Sequence, residues 1–232
     1  MQNKSSASTY FFIGKLSDRS SRYYVSNLEI GNNLVLEVVL DNISIWGQTN
    51  REFGVFYKEV AEITNIIVSA FVFKIRKPIS FIFESWVEAK DVIAKKNMIG
   101  FILNSHGKRK VYPERSKNNT GWKKAVYLYK NIKKLNNNHI LALKDYRAAL
   151  MDTGDDAFFF AYRAIEDICR AVSGCSDVNV KAWESMHKKL GTSKSLVVSL
   201  VDVATKIRHG DKNDPLVKTA ENNKKALIEI SH

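Results

Sequence analysis

Two adjacent side chains near the end of the chain carry the chemistry that this sequence offers most clearly. Arg208 and His209 lie at the end of a segment whose apolar residues recur with helical spacing, and Gly210 follows them. A histidine donates or accepts a proton near neutral pH, and an arginine binds a phosphate through two parallel N–H groups. Metal-free RNA cleavage requires a base for the 2′-hydroxyl, a proton donor for the leaving 5′-oxygen and a phosphate clamp. We therefore take Arg208 and His209 as candidate catalytic residues.

The same three residues also fit a structural role. A basic side chain in the last turn of a helix interacts favourably with the helix dipole. A glycine just beyond that turn commonly ends the helix in a left-handed conformation. The spacing alone leaves the catalytic and the structural interpretation open.

A second charged cluster lies in residues 161–170. Arg163, Glu166 and Arg170 recur at spacings of three and four, so they share one helical face, next to an apolar face to which we assign Tyr162. One interpretation is a surface ion pair between residues three apart, Arg163 and Glu166, worth roughly 0.2–0.5 kcal/mol. The other makes Arg163 a third catalytic candidate that helps Arg208 to hold a phosphate.

The positive charge of the chain is concentrated in one stretch. The formal net charge is +12, and residues 86–138 hold 13 Lys/Arg against 3 Asp/Glu. A concentrated cationic field attracts polyanions, and counterions released from a phosphate backbone favour binding, although a solubilising surface is the alternative. The charge alone does not distinguish RNA from DNA or an anionic membrane. The candidate nucleic-acid contacts are Lys108, Arg109, Lys110, Arg115, Lys123, Lys124, Lys130 and Lys134.

Residue periodicity predicts a strand-rich first half. Alternating apolar residues indicate strands at 10–14, 28–30, 34–40, 43–47, 79–84 and 98–103, with a hairpin loop at 31–33. Between them, residues 53–73 show the three- and four-residue steps of an amphipathic helix, although β-branched residues near the end leave a strand possible there. We expect an antiparallel sheet with one helix packed on it.

Helical periodicity continues over the rest of the chain. An apolar stripe that begins at Trp122 places this indole in the core, and further helices are predicted at about 140–151, 155–173, 180–190, 193–210 and from 214 onwards. The predicted class is therefore α+β. The expected divisions are a β-rich domain at 1–104, a basic connector and helix at 105–138, and a helical bundle at 139–232.

The C-terminal helical part of the sequence resembles the HEPN superfamily over roughly residues 140–230. The resemblance rests on the Tyr-Arg-Ala-Ile-Glu run at 162–166, on a helix with Trp183 and Met186, and on the helix that ends in Arg208-His209-Gly210. The family motif is an arginine, then four to six residues, then a histidine near a dimer interface. His209 and Gly210 match that motif, whereas residues 202–204 are Asp-Val-Ala and the arginine stands directly beside the histidine.

The resemblance implies a dimerising bundle of four or five helices. Many family members are metal-independent endoribonucleases of antiviral, toxin–antitoxin or stress responses, so it implies RNA as partner and a homodimer formed through the bundle. The alternative is a non-catalytic dimerising module that binds nucleic acid or protein through residues 86–138.

We expect neither a metal nor a cofactor, because the five histidines and two cysteines lack ligand spacing and no Walker-type glycine-rich loop occurs. The apolar run at 66–73 is shorter than the roughly 20 residues that cross a bilayer, and the residues after Met1 do not read as a signal peptide. The expected location is the cytoplasm, with no membrane partner.

Overall fold

The structure, a computed structural model, describes residues 7–17, 23–89, 119–132, 136–211, 213–224 and 228. An antiparallel sheet precedes a helical part, which confirms the predicted α+β class. The chain divides into two compact units. The strand-rich unit comprises Met1–Phe71 and Ile79–Lys130, and the helical unit comprises Val72–Pro78 and Asn131–His232. The strand predicted at 98–103 lies outside the described residues.

Antiparallel strands form the sheet of the strand-rich unit, in the order β2-β3-β4-β1-β5. The hairpin turn predicted at 31–33 is confirmed, because Asn32 and Asn33 have φ values of 51° and 57°. Gly31 is the last residue of the strand before it. Two successive left-handed residues are what a two-residue type I′ turn requires. The strands are β1 Ser8–Leu16, β2 Tyr23–Gly31, β3 Leu34–Leu40, β4 Asn42–Thr49 and β5 Phe81–Ala89.

Neighbouring residues of β1 pack on opposite faces of the sheet. Phe12 faces helix α1 (Phe53–Ile75), and its ring centroid lies 5.8 Å from that of Phe56. Phe11 packs on the other face against Trp46, at a centroid distance of 5.8 Å. Both phenylalanines are fully buried. The sheet therefore buries side chains on both of its faces, as the alternation of strand side chains allows.

Helix α2 (Asn119–Ile132) contributes the largest fully buried side chain of the strand-rich unit. The indole of Trp122 stacks on Phe71 with ring centroids 4.0 Å apart and meets Tyr23 edge-on at 6.2 Å. The prediction that Trp122 lies in the core is confirmed. Because the apolar face of α2 is buried in this way, its opposite face is left to solvent.

Local capping chemistry sets the ends of the helices in the helical unit. The Asn136 and Asn179 side chains accept backbone N–H groups at 3.1 and 3.0 Å at two helix starts, and Gly174 and Gly191 end two helices with φ values of 76° and 65°. No helix in the described ranges is long and apolar enough to cross a membrane. The helices are α3 Asn137–Met151, α4 Asp156–Ser173, α5 Val180–Leu190, α6 Lys194–Arg208 and α7 Pro215–Asn222.

Candidate functional site

His209 occupies the turn at which the chain leaves α6. Its backbone N–H donates to the Thr205 carbonyl at 3.1 Å, and the Gly210 N–H donates to the Ile207 carbonyl at 3.0 Å. Gly210 has a φ of 78°, so it ends the helix as the structural interpretation predicts. Ile207 is buried and anchors the turn, whereas Arg208 and His209 are exposed. The turn thus ends the helix and also presents both candidate residues to solvent.

Charged neighbours hold the loop that follows His209. The Lys206 Nζ lies 3.0 Å from Asp214 Oδ2 and 3.5 Å from Asp211 Oδ2. Asp214 also accepts the Leu216 backbone N–H at 2.7 Å, at the start of α7. The hydrogen bond and charge of Asp214 raise the pKa of Lys206, and Lys206 lowers the pKa of Asp214. These contacts tie both ends of the loop to its flanking helices.

His209 differs from the other described histidines in its ring contacts. The His187 Nδ1 lies 2.9 Å from the Thr192 Oγ1, and the His139 Nδ1 lies 3.0 Å from the Asn136 Oδ1. The His209 ring has no hydrogen-bond partner within the part of the chain that the structure describes. The described residues contain no group of three or more His, Cys, Asp or Glu side chains that would hold a metal ion. The ring atoms of His209 are therefore available to a substrate.

The charge of Arg208, at the end of α6, acts on the phenol of Tyr162 on α4. Burial, a hydrogen bond to Glu166 and the charge of Glu166 raise the pKa of Tyr162 to about 12, against the opposing charges of Arg208 and Arg170. Tyr162 therefore stays protonated at neutral pH, and its hydroxyl donates to the Glu166 carboxylate. The sequence pattern predicts that Tyr162 faces the core, but its side chain is only half-buried.

Arg163 and Arg170 of the charged cluster and Arg208 at the end of α6 differ in how strongly carboxylates engage them. Arg170 Nη1 lies 2.8 Å from Asp167 Oδ1, and its Nη2 lies 3.6 Å from Glu166 Oε2. Glu166 therefore contacts Arg170 four residues later. The predicted ion pair at a spacing of three, between Arg163 and Glu166, is not formed, because Arg163 pairs with Asp145. Arg208 is exposed and forms no ion pair with any described residue. Because a phosphate must compete with existing carboxylate partners, Arg208 is the guanidinium best placed to bind one.

Arg163, the third catalytic candidate, is engaged on the α3 side of α4. Its Nε lies 3.1 Å from Asp145 Oδ2. Its guanidinium carbon also lies 5.7 Å and 6.0 Å from the ring centroids of Phe159 and Phe160. The structure places Arg208 and His209 on one turn, while Arg163 is held by the carboxylate of a different helix.

Asp145 is a buried carboxyl group whose ionisation lowers stability. Burial raises its pKa to about 6 from the ordinary 3.8; the charge of Asp167 acts in the same direction and Arg163 opposes it. Because the pKa is higher in the folded chain than in the unfolded chain, the folded chain binds the extra proton between these two values. Stability therefore falls as pH rises from about 4 to about 6 and stays lowered above that range.

We expect Asp145→Asn to remove this pH dependence. The amide keeps the shape of the side chain but does not ionise. Between about pH 4 and about pH 7 the parent chain should lose roughly 2–3 kcal/mol of stability that the variant keeps. Urea unfolding across this pH range measures the difference. Asp202→Asn, at an exposed carboxylate of α6, is the control and should follow the parent. Parallel pH profiles for Asp145→Asn and the parent would show that Asp145 does not carry the effect.

A groove of about 300 Å³ opens between α4, α5 and α6. Sequence reasoning did not identify it as a site, because its walls come from three helices. The spacing of Trp183 and His187, four residues apart on α5, was the available signal, since such residues lie on one helical face. The residues that form its aromatic and apolar walls include Tyr162, Trp183, His187, Val197, Val198 and Val201.

The exposed face of α2 carries the described part of the basic segment. Lys123, Lys124 and Lys130 are exposed, and Tyr127 between them is 72% exposed. Tyr127 lies three or four residues from each lysine, so all four side chains share one side of the helix. The other predicted contacts, Lys108, Arg109, Lys110, Arg115 and Lys134, lie outside the described residues.

Comparison with known proteins relates the C-terminal part of the chain to a family. Residues 127–231 match the family model described as the C-terminal domain of a domain of unknown function (DUF8168). The matched range begins near the end of α2 and includes α3 to α7. No curated protein and no solved structure matches the chain. The family description states no activity, so a function has to be inferred from the residues themselves.

Proposed function

We propose that this protein is a cytoplasmic RNA-binding protein whose helical unit is a metal-independent endoribonuclease of the HEPN type. The observation that supports the activity best is the turn at the end of α6, which exposes His209 next to Arg208. The His209 ring has no hydrogen-bond partner among the described residues. The HEPN resemblance around Tyr162, Trp183 and His209 further implies that the protein forms a homodimer. It also implies a role in antiviral defence, a toxin–antitoxin pair or a stress response.

The proposed reaction is an internal transesterification. A histidine removes the proton of a ribose 2′-hydroxyl, and the 2′-oxygen attacks the adjacent phosphorus. The bond from phosphorus to the 5′-oxygen breaks, and that oxygen takes a proton, leaving a 2′,3′-cyclic phosphate and a 5′-hydroxyl end. Arg208 binds the non-bridging oxygens, where negative charge accumulates in the transition state. In a homodimer, the second copy of His209 supplies the other proton-transfer group.

The direct test uses the purified full chain, an end-labelled single-stranded RNA and a metal chelator. We expect cleavage that persists with the chelator and yields 2′,3′-cyclic phosphate ends. The same RNA with 2′-O-methyl groups should stay intact, because the nucleophile is blocked. Products with 3′-hydroxyl ends, cleavage that stops on chelation, or an intact RNA would contradict the proposed activity.

The exposed face of α2 favours a second function, that of a non-catalytic nucleic-acid-binding module. Lysines attract phosphates, and an exposed ring such as that of Tyr127 stacks on a base. Here Lys123, Lys124 and Lys130 surround Tyr127 on one side of the helix. This function requires neither His209 nor Arg208, so binding without cleavage would support it.

Neutralising two lysines of α2 should reduce the salt dependence of RNA binding. In the double variant Lys123→Gln/Lys124→Gln, the slope of log affinity against log salt should become less steep by about 1.4, since each lost phosphate contact on a single strand accounts for about 0.7. Fluorescence anisotropy of a labelled RNA at several salt concentrations measures the slope. The double variant Lys58→Gln/Lys74→Gln removes the same charge from exposed positions of α1 and is the matched control. Equal slopes in the two double variants would rule out contact through α2.

A further inference from the structure

The groove between α4, α5 and α6 has the surface of a binding site for a flat ring. Trp183 and His187 stack at a centroid distance of 5.9 Å with an interplanar angle of 25°. Both side chains line the groove, together with Tyr162 and the valines of α6. Val180 at the groove is 72% exposed and Val198 is 38% exposed, so apolar surface faces solvent here. A flat apolar ligand would cover that surface.

Polar groups around these walls would fix the orientation of such a ligand. The Nδ1 atom of His187 is hydrogen-bonded to the Thr192 hydroxyl. The Nε2 atom is therefore the ring nitrogen available for a ligand contact. Glu184 and Lys194 also line the groove and supply one acceptor and one donor. Ligand sites commonly combine apolar and aromatic walls with a few polar groups of this kind.

A cation lies beyond one end of the groove. Arg208 follows the lining residue Val201 by seven residues, which is two helical turns, so both lie on the same side of α6 about 10 Å apart along its axis. The charge of Arg208 also acts on the phenol of Tyr162, which lines the groove. An apolar ring site is therefore flanked by a guanidinium that forms no ion pair with a described residue.

We propose that this groove binds the base of a nucleotide whose phosphate is bound by Arg208. The inference rests on the proposed function and deepens it, because it places a base next to the phosphate on which His209 would act. A volume of about 300 Å³ suits one base better than a larger ligand, since pockets for drug-sized molecules extend to roughly 1,000 Å³. Aromatic walls suit bases because every base has a face that stacks on a side-chain ring.

The base belongs either to an RNA strand or to a free mononucleotide, and both have the same ring and phosphate. The test measures binding of a labelled 2′-O-methyl oligoadenylate to the full chain by fluorescence anisotropy. Val198→Trp fills the groove from an exposed position of α6. Ser199→Trp places the same indole on the next residue, which is exposed and does not line the groove. Circular dichroism checks that both variants fold as the parent does.

We expect Val198→Trp to weaken binding about tenfold and Ser199→Trp to leave it nearly unchanged, since stacking of one base contributes about 1–3 kcal/mol. An abasic oligonucleotide with the same backbone should bind more weakly than oligoadenylate and should not respond to Val198→Trp. Competition by adenosine monophosphate identifies a free nucleotide as a ligand, and competition by RNA alone identifies the strand. Equal affinities of the two variants, or equal affinities for the abasic and adenine-containing strands, would overturn the assignment.

The two proposals fail separately in these experiments. A 2′-O-methyl strand cannot be cleaved through its 2′-oxygen, so base binding is measured whether or not the chain cuts RNA. Failure to cleave ordinary RNA, with the groove-dependent binding intact, contradicts the endoribonuclease alone. Intact cleavage with no effect of Val198→Trp on binding contradicts the groove site alone.

Discussion

Replacing His209 with alanine is expected to lower the rate of RNA cleavage by at least about 10²–10⁴-fold, the usual contribution of one general acid or base, since a homodimer would lose both copies of the ring. The ring of His209 has no hydrogen-bond partner among the described residues, and its backbone bond to Thr205 does not depend on the side chain. The fold and the proposed phosphate contact of Arg208 should therefore persist. Single-turnover cleavage of end-labelled RNA in a chelator measures the rate, and anisotropy with a 2′-O-methyl strand measures the affinity.

A histidine elsewhere in the helical unit provides the matched control. His139 is half-buried near the start of α3, where its ring contacts the Asn136 side chain. His139→Ala should cleave RNA at nearly the parent rate. If both alanine variants keep the parent rate, His209 takes no part in proton transfer. If His209→Ala loses affinity and rate together, the side chain binds RNA and does not act as acid or base.

Replacing Trp122 with alanine should cost the strand-rich unit roughly 3–5 kcal/mol, the range for removing a buried large aromatic side chain. The indole is completely buried and lies on Phe71 at a centroid distance of 4.0 Å. Alanine leaves a cavity where the ring stood, and it also removes the edge contact with Tyr23. Urea unfolding followed by far-UV circular dichroism should show a lower midpoint for the transition of this unit.

Two further variants test whether the loss of stability comes from the burial of Trp122 or from any change to helix α2. Tyr127→Ala, on the exposed side of the same helix, should change stability by no more than about 0.5 kcal/mol. Trp122→Phe should be milder than Trp122→Ala, because a ring remains in place. The phenylalanine also lacks the buried indole N–H, which has no hydrogen-bond partner among the described residues. Similar effects of Trp122→Ala and Tyr127→Ala would mean that the Trp122–Phe71 stack does not hold α2 in place.

The elements of this fold could be predicted because their signals are local. The turn at Asn32 and Asn33 follows from the tolerance of asparagine for positive φ, and the end of α4 follows from Gly174. Helix α1 could likewise be predicted from its apolar periodicity, since a helix of 23 residues repeats its apolar face several times. Each of these features depends on residues that are close together along the chain.

The arrangement of the candidate site depends on contacts between helices, which the sequence does not encode locally. Spacing placed Arg163 and Glu166 on one face, but Arg163 is paired with Asp145 of α3, 18 residues earlier in the chain. Tyr162 fitted an apolar stripe, but its side chain lines the groove and is only half-buried. The groove itself could not be predicted, because no single helix forms it.

The position of His209 also suggests how the proposed activity would be controlled. Arg208 is the last residue of α6 and His209 is its cap, so both depend on a single terminal turn. Ends of helices open locally at a much smaller free-energy cost than global unfolding. Fraying of this turn would misplace the acid–base group and the phosphate clamp together, while the rest of the helical unit stayed folded. A partner that clamped the turn would then act as an activator, and one that loosened it would act as an inhibitor, with neither needing to enter the groove.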